Sequence, residues 1–226
     1  MSLEGKNCIV TGGAGALGAT VVKTLTAAGA RVMALDHAAI PAGQHGIGGI
    51  DLSDPAKAVA AIDKAAAEMG GLYAIVNIAG GFRWETLADG KVDTWDFLYN
   101  INLKTAVCAS KAALPHLLKN KSGRIVNIGA GAAAKPAAAG MGAYTASKAG
   151  VAKLTESLAE ETKAQGITVN AILPSTIDTA ANRKDMPGAD FSKWVKAEEI
   201  GDLIAFLLSD KASAITGASI PINGRV

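Results

Sequence analysis

Tyr144 and Lys148 are the side chains whose types and spacing point most directly to chemistry. They lie four residues apart in Gly140-Met141-Gly142-Ala143-Tyr144-Thr145-Ala146-Ser147-Lys148-Ala149-Gly150. On a helix that spacing puts both on one face. The lysine ammonium then stands near the phenol, favours phenolate and lowers the phenol's pKa. A tyrosine tuned in this way can give or take a proton near neutral pH. The spacing therefore predicts a helix here, with Tyr144 as its proton-transfer group.

Elements upstream read as the device that brings a ligand to that phenol. Asn7-Cys8-Ile9-Val10 is a short apolar run, read as a buried strand. It enters Thr11-Gly12-Gly13-Ala14-Gly15-Ala16-Leu17-Gly18, after which Leu17, Val21 and Leu25 recur at helical spacing and Gly29 stops the helix. Arg31 to Asp36 is a second strand ending in an acid. Strand, glycine turn, helix, strand and acid form the layout of a dinucleotide-binding unit. Glycines let a pyrophosphate approach the backbone, and a helix N-terminus offers free N–H groups to an anion. Such turns also serve tight packing alone. A carboxylate at Asp36 can accept hydrogen bonds from ribose hydroxyls and would repel a 2′-phosphate, which argues for NAD(H). A backbone shift would still admit NADP(H).

Ile47 to Leu52 reads as a third strand, and Ser53 or Asp54 can cap the next helix with Pro55 at its first position. Val59, Ile62 and Met69 mark that helix's buried face. Leu72 to Asn77 is a fourth strand, followed by Ile78-Ala79-Gly80-Gly81. Small residues at a strand's carboxyl end let a ligand come close, or simply make a tight turn. Phe82 and Trp84 come next and can stack on a flat substrate or form a local hydrophobic patch. A long helix is expected from Thr94 to Lys119 with Asn102 in its middle. Asn is a poor helix former, so it is tolerated there or marks a local break. Ser122 to Gly129 holds a fifth strand, and a loop of small residues from Ala130 to Gly142 leads to the Tyr144 helix. Ile167 to Leu173 is a sixth strand, halted by Pro174. The polar stretch 175–196 is long enough for a substrate lid. Ile200, Leu203, Ile204, Leu207 and Leu208 stripe the last helix, and Ala218 to Ile222 closes as a strand. Six or seven strands alternating with helices predict one α/β domain over residues 1–226, a Rossmann-type doubly wound parallel sheet.

Composition narrows the function classes. The 226 residues are 50% hydrophobic with a formal charge of +2, and no linker divides them. There is no basic run, and 4% aromatic content offers few stacking platforms, which argues against a nucleic-acid partner. No apolar stretch approaches the roughly 18 residues of a membrane span, and the N-terminus lacks a signal peptide's layout. Cys8 and Cys108 read as isolated core thiols in a reducing, cytoplasmic setting. His37, His45 and His116 form no metal-ligand spacing.

The motifs together resemble the short-chain dehydrogenase/reductase family over nearly the whole chain. The resemblance rests on the glycine turn, Asn77-Ile78-Ala79-Gly80, Asn102, Tyr144 to Lys148, and Pro174-Ser175-Thr176-Ile177-Asp178-Thr179. It implies an NAD(P)-dependent oxidoreductase with Tyr144 as proton donor, Lys148 on the nicotinamide ribose, and Asn102 holding a water in a proton relay. It implies coenzyme contacts at Gly12, Gly15, Ala16, Leu17, Gly18, Asp36, Asn77, Ala79, Gly80 and Pro174. Asp51 and Leu52 fall near the adenine, and Ile177 and Thr179 near the carboxamide. It also implies a small-molecule substrate and a homodimer or homotetramer. Two departures stand out. Ala16 replaces the usual second glycine, and no hydroxyl occurs from Gly129 to Ala143, where the family's catalytic serine falls at about Ala130 or Gly131.

One branch of the family works without that serine. The sequence is similar to this dihydropteridine reductase branch in Ala79-Gly80-Gly81-Phe82, in Gly140 to Tyr144 and, most specifically, from Thr179 to Trp194. A quinonoid dihydropterin accepts hydride and a proton on its own conjugated ring, so a polarising hydroxyl matters less. Phe82, Trp84 and Ala130 are the substrate-side candidates. The first reading is therefore an NADH-dependent reductase of a quinonoid dihydropterin-like compound. The alternatives are a carbonyl reductase or alcohol dehydrogenase of the 3-oxoacyl-carrier-protein type, and a dinucleotide sensor that has lost catalysis.

Overall fold

The computed structural model describes residues 2–226. Seven parallel strands make the central sheet: β1 (Asn7–Thr11), β2 (Arg31–Leu35), β3 (Gly46–Ile47), β4 (Ala74–Asn77), β5 (Gly123–Ile128), β6 (Ile167–Pro174) and, at its far edge, β9 (Ser219–Ile222). Their order is β3-β2-β1-β4-β5-β6-β9. The chain runs outward from β1 to β3, then returns to place β4 on the other side of β1, with Cys8 opposite both Val32 and Ala74. That reversal opens a crevice at the carboxyl ends of β1 and β4, where open α/β sheets bind ligands. A second, two-residue parallel pair joins β7 (Ile177–Asp178) and β8 (Val195–Lys196).

Helices cover both faces of the large sheet, so its strands are mostly apolar, with a few buried polar residues such as Asn77, Asn127 and Asn170. α1 (Ala16–Ala27) and α7 (Ala197–Leu208) pack on one face, burying Leu17, Val21, Leu25, Ile200, Ile204 and Leu208. α2 (Pro55–Met69), α4 (Thr105–Asn120) and α5 (Gly142–Thr162) supply the core of the other. Asp54 caps α2 by accepting from the amides of Ala56 and Lys57, ahead of Pro55 at the first helical position. Cys8 and Cys108 are buried free thiols.

Three expectations need correction. The third strand is only Gly46–Ile47, because the Ile50 amide turns back to the Asp36 carbonyl (3.0 Å), ending the strand before Leu52. Val59 is 45% exposed, and Ala58, Ile62, Ala65 and Met69 form the inner face of α2. The stretch 175–196 is not an open loop, since it holds β7, α6 (Ala180–Asp185) and β8. The long helix around Asn102 is continuous but not uniform. α3 (Val92–Leu98) passes through a widened π-type turn, Tyr99–Lys104, into α4. Such widened turns are frequent at functional sites.

Candidate active site

At the carboxyl ends of β1, β2, β4, β5 and β6 lies a cleft of about 650 Å³. Its floor at one end is the turn between β1 and α1. Gly12 has φ +69°, and a Cβ there would lie 2.8 Å from the Ala79 amide nitrogen. A Cβ on Gly18 would overlap the Gly12 carbonyl oxygen, so only glycine lets α1 start this close to β1. Gly15 is the N-cap of α1; no side chain caps that end, and the first turn holds no acid. The free N–H groups and positive end of the helix dipole therefore face the cleft, as an anion requires. Asp36 Oδ2 accepts from the Ala14 amide (2.9 Å) and Oδ1 from the Ala38 amide (2.9 Å). Asp51, whose carboxyl is held low by the Ser53 hydroxyl and amide, stands beside Leu52 on the same wall. Lys148 is the one lysine or arginine on the wall among the described residues. A glycine cradle, an uncapped helix start and two carboxylates at the far end fit a dinucleotide.

At the other end, α5 carries Tyr144 and Lys148 one turn apart, and both line the cleft. The buried Lys148 Nζ donates to the Ile128 carbonyl at the end of β5 (2.8 Å). Burial lowers its pKa to about 8 and raises that of the Tyr144 phenol to about 12. The expected lowering of the phenol by Lys148 is therefore not found. Desolvation governs both groups, and the lysine nitrogen is drawn to a carbonyl. Asn102 is 1% exposed. Its Oδ1 accepts from the Gly81 amide (2.9 Å), and its Nδ2 donates to the Gly81 carbonyl (3.1 Å) and the Ser147 hydroxyl (3.0 Å). Ser147 in turn donates to the Tyr144 carbonyl (2.7 Å). The Asn102 side chain thus ties the β4 exit loop to the Tyr144 helix and spends both amide protons doing so. A water relay through Asn102 would have to use its backbone.

A family model for short chain dehydrogenases matches residues 6–189. The chain belongs to the short-chain dehydrogenase family. Members of this family are NAD(P)-dependent oxidoreductases, and so is this protein. It is 35% identical over 240 residues to the 3-oxoacyl-acyl-carrier-protein reductase FabG of Salmonella typhimurium, covering 99% of this chain and 98% of the relative. It is 31% identical over 249 residues to the 4-formylbenzenesulfonate dehydrogenase of Comamonas testosteroni, with the same coverage. Among solved structures, ligand-free aldohexose dehydrogenase of Thermoplasma acidophilum superposes with a TM-score of 0.90 at 28% identity, covering 98% of this chain and 94% of that one. These relatives do not single out the dihydropteridine reductase branch, and they match the 3-oxoacyl reductase alternative better.

Within this short-chain dehydrogenase, the cleft collects Gly12, Gly15, Ala16, Leu17, Gly18, Asp36, Asp51, Leu52, Ala79, Gly80, Phe82, Tyr144, Lys148, Pro174 and Ile177. Five expected site residues lie off its wall. Asn77 is buried, donating to Ser110 and Asn127 between β4 and β5. Thr179 caps α6 through the Asn182 amide. Ala130 is 4% exposed behind the wall, Asn102 acts from the second layer as described, and Trp84 packs over Gly140. Trp84 Nε1 donates to the Ala139 carbonyl (3.0 Å), so the indole pins the loop ahead of α5 while the side chain stays exposed. Phe82 does face the site: its ring meets Tyr144 edge-on at 5.0 Å while remaining 56% exposed. Sequence reasoning missed Ile101, Thr105, Ser175 and Asn182 on the wall. Asn182 carried a weak signal, since it falls in the 175–196 segment already suspected of covering the substrate.

Proposed function

We propose that the protein is an NADH-preferring reductase of a small carbonyl compound, of the kind that the FabG relatives name in their 3-oxoacyl substrates. The observation that carries this reading is the joint placement of Tyr144, Lys148 and the coenzyme cradle along one cleft. Bound coenzyme supplies the hydride to the carbonyl carbon. Tyr144, half-buried against Phe82, gives its proton to the carbonyl oxygen. Lys148 stands on the same helix face, on the side where the nicotinamide ribose would lie. Asp36 and Asp51, with no lysine or arginine near them on the wall, support NAD(H) over NADP(H). The segment 175–196 covers the substrate side. It is braced by a two-toothed Arg183–Asp178 pair (2.6 and 2.7 Å) and presents Ile177 and Asn182 to the cleft.

One observation favours a second reading, the quinonoid dihydropterin. No hydroxyl occurs from Gly129 to Ala143, and on α5 Thr145 donates to the Met141 carbonyl while Ser147 is turned to Asn102. The other hydroxyls on the wall, of Ser53, Thr105 and Ser175, donate to Asp51, Ile101 and Asn223, which leaves Tyr144 as the hydroxyl free to donate to a plain ketone, and one lost donor can cost on the order of 10²–10³ in rate. A conjugated quinonoid acceptor needs less polarisation. The test is NADH consumption by the purified protein with a 3-oxoacyl thioester and with a quinonoid dihydropterin, side by side. Faster turnover of the thioester supports the carbonyl reading. Turnover of the pterin alone replaces it with the second reading, and turnover of neither removes both.

A further inference from the structure

We propose that Gln44 is a positioning residue for the coenzyme ribose, acting through the Gly13–Ala14 peptide and Asp36. The proposal rests on the reading of Asp36 as the ribose acceptor. Gln44 lies in the loop between β2 and β3 and is not on the cleft wall. Its own amide closes a turn onto the Pro41 carbonyl (3.1 Å), and the next carbonyl, of His45, accepts from Ala34 on β2 (3.0 Å). The loop is thus held against β2 with the Gln44 side chain directed at the glycine turn.

There Nε2 donates to the Gly13 carbonyl (2.8 Å). The N–H of that same peptide unit, on Ala14, donates to Asp36 Oδ2 (2.9 Å). One peptide group is therefore gripped at both ends, by an amide donor on its oxygen and a carboxylate on its nitrogen. Chains of hydrogen bonds polarise one another, so a donor on the carbonyl makes the N–H a better donor to Asp36. With Oδ1 held by the Ala38 amide, both carboxylate oxygens are oriented before a ligand arrives. Their remaining lone pairs are left for ribose hydroxyls.

The residue type suits this task. A glutamate at 44 would bring a second negative charge against the Gly13 oxygen and towards Asp36. A lysine would bring a cation towards the place where a 2′-phosphate would sit. A neutral amide holds the peptide and leaves the charge discrimination to Asp36.

A brace for the glycine turn alone would serve the pyrophosphate, which NADH and NADPH share. A brace that works through Asp36 serves only the coenzyme with a free 2′-hydroxyl. The experiment is a fluorescence titration of NADH and NADPH into the unaltered protein, Gln44→Ala, Gln44→Met, Asp36→Ala and the Asp36→Ala/Gln44→Ala pair. Losing one hydrogen bond of this kind predicts an NADH dissociation constant raised about fivefold in both Gln44 variants. The NADPH constant moves less than about twofold, and so does NADH binding when Gln44→Ala is added to Asp36→Ala. Equal losses for both coenzymes, an undiminished loss in the Asp36→Ala background, or unchanged NADH affinity overturns the proposal. Equal affinity of the unaltered protein for the two coenzymes removes the Asp36 reading and the proposal with it.

Discussion

One end of the cleft is built mainly from backbone, around Gly12, Gly15 and Gly18; the other is built from side chains, among them Tyr144, Phe82, Ile177 and Asn182. The first end is tied down by the chain's own contacts. Gly12 and Gly18 leave no room for a side chain, Asp36 holds two amides, and Gln44 holds a carbonyl. The other end has Tyr144, Phe82 and the 175–196 segment with its Arg183–Asp178 pair, and Ala130 is buried behind the wall. A ligand shared by a whole family can be met with fixed geometry, because the pyrophosphate and ribose never change. A substrate that differs between relatives is met with side chains and loops that tolerate change.

The comparison breaks most easily at Gly18. A Cβ there overlaps the Gly12 carbonyl, so Gly18→Ala must push α1 away from the turn. A displacement of that order predicts a loss of NADH affinity on the order of 100-fold, read by fluorescence titration. Near-normal binding would mean that the turn is softer than its packing implies.

Lys148 gives a smaller effect that reports on the catalytic junction of the two ends. Burial holds its pKa near 8 in the folded protein, against 10.5 when exposed. Between those values the unfolded chain binds the extra proton, so stability rises as pH climbs from about 8 towards 10. The slope approaches about 1.4 kcal/mol per pH unit, and the stabilisation is absent below about pH 8. The buried Cys8 thiol, raised to about 12, opposes this rise above about pH 9, so the test is the difference between urea melts of the unaltered protein and of Lys148→Met, in which the Cys8 contribution is shared. Parallel pH profiles for the two proteins from pH 8 to 10 would contradict the buried, pKa-lowered lysine.

Phe82 sharpens the comparison from the substrate side. Its edge-on contact with Tyr144 is of a kind worth about 0.5–1.5 kcal/mol. Phe82→Ala should therefore raise the substrate KM roughly fivefold while the NADH dissociation constant stays put. Steady-state kinetics with the substrate varied at saturating NADH would show it, and a shift in both constants would mean that Phe82 belongs to the coenzyme end.

The same contrast explains what could be read in the sequence. The coenzyme end was legible because close backbone approach demands glycine and ribose recognition favours an acid at a strand's end. Gly12, Gly18 and Asp36 carry those demands openly. Tyr144 and Lys148 were legible as a pair through their spacing, but the effect of one on the other was not. Spacing says nothing of the Ile128 carbonyl that takes the lysine nitrogen. Asn102 announced a disturbance in its helix without revealing the widened turn or the grip on Gly81. Gln44 gave no signal at all, since a glutamine in an irregular loop has neither periodicity nor a distinctive charge. Trp84 stayed ambiguous, because an aromatic next to a binding loop serves packing as readily as stacking, and here it packs over Gly140. The third strand was overextended because Ile47 and Ile50 look alike in sequence, while two glycines between them turn the chain.

Replacing Tyr144 by phenylalanine tests the account most directly, with kcat and the NADH dissociation constant measured on the same preparation. The phenol is the one group on the cleft wall assigned to proton donation. Tyr144→Phe should lower kcat by about 10²–10⁴-fold while NADH binding stays within about twofold. Full activity in that variant would contradict the placement of the chemistry at Tyr144.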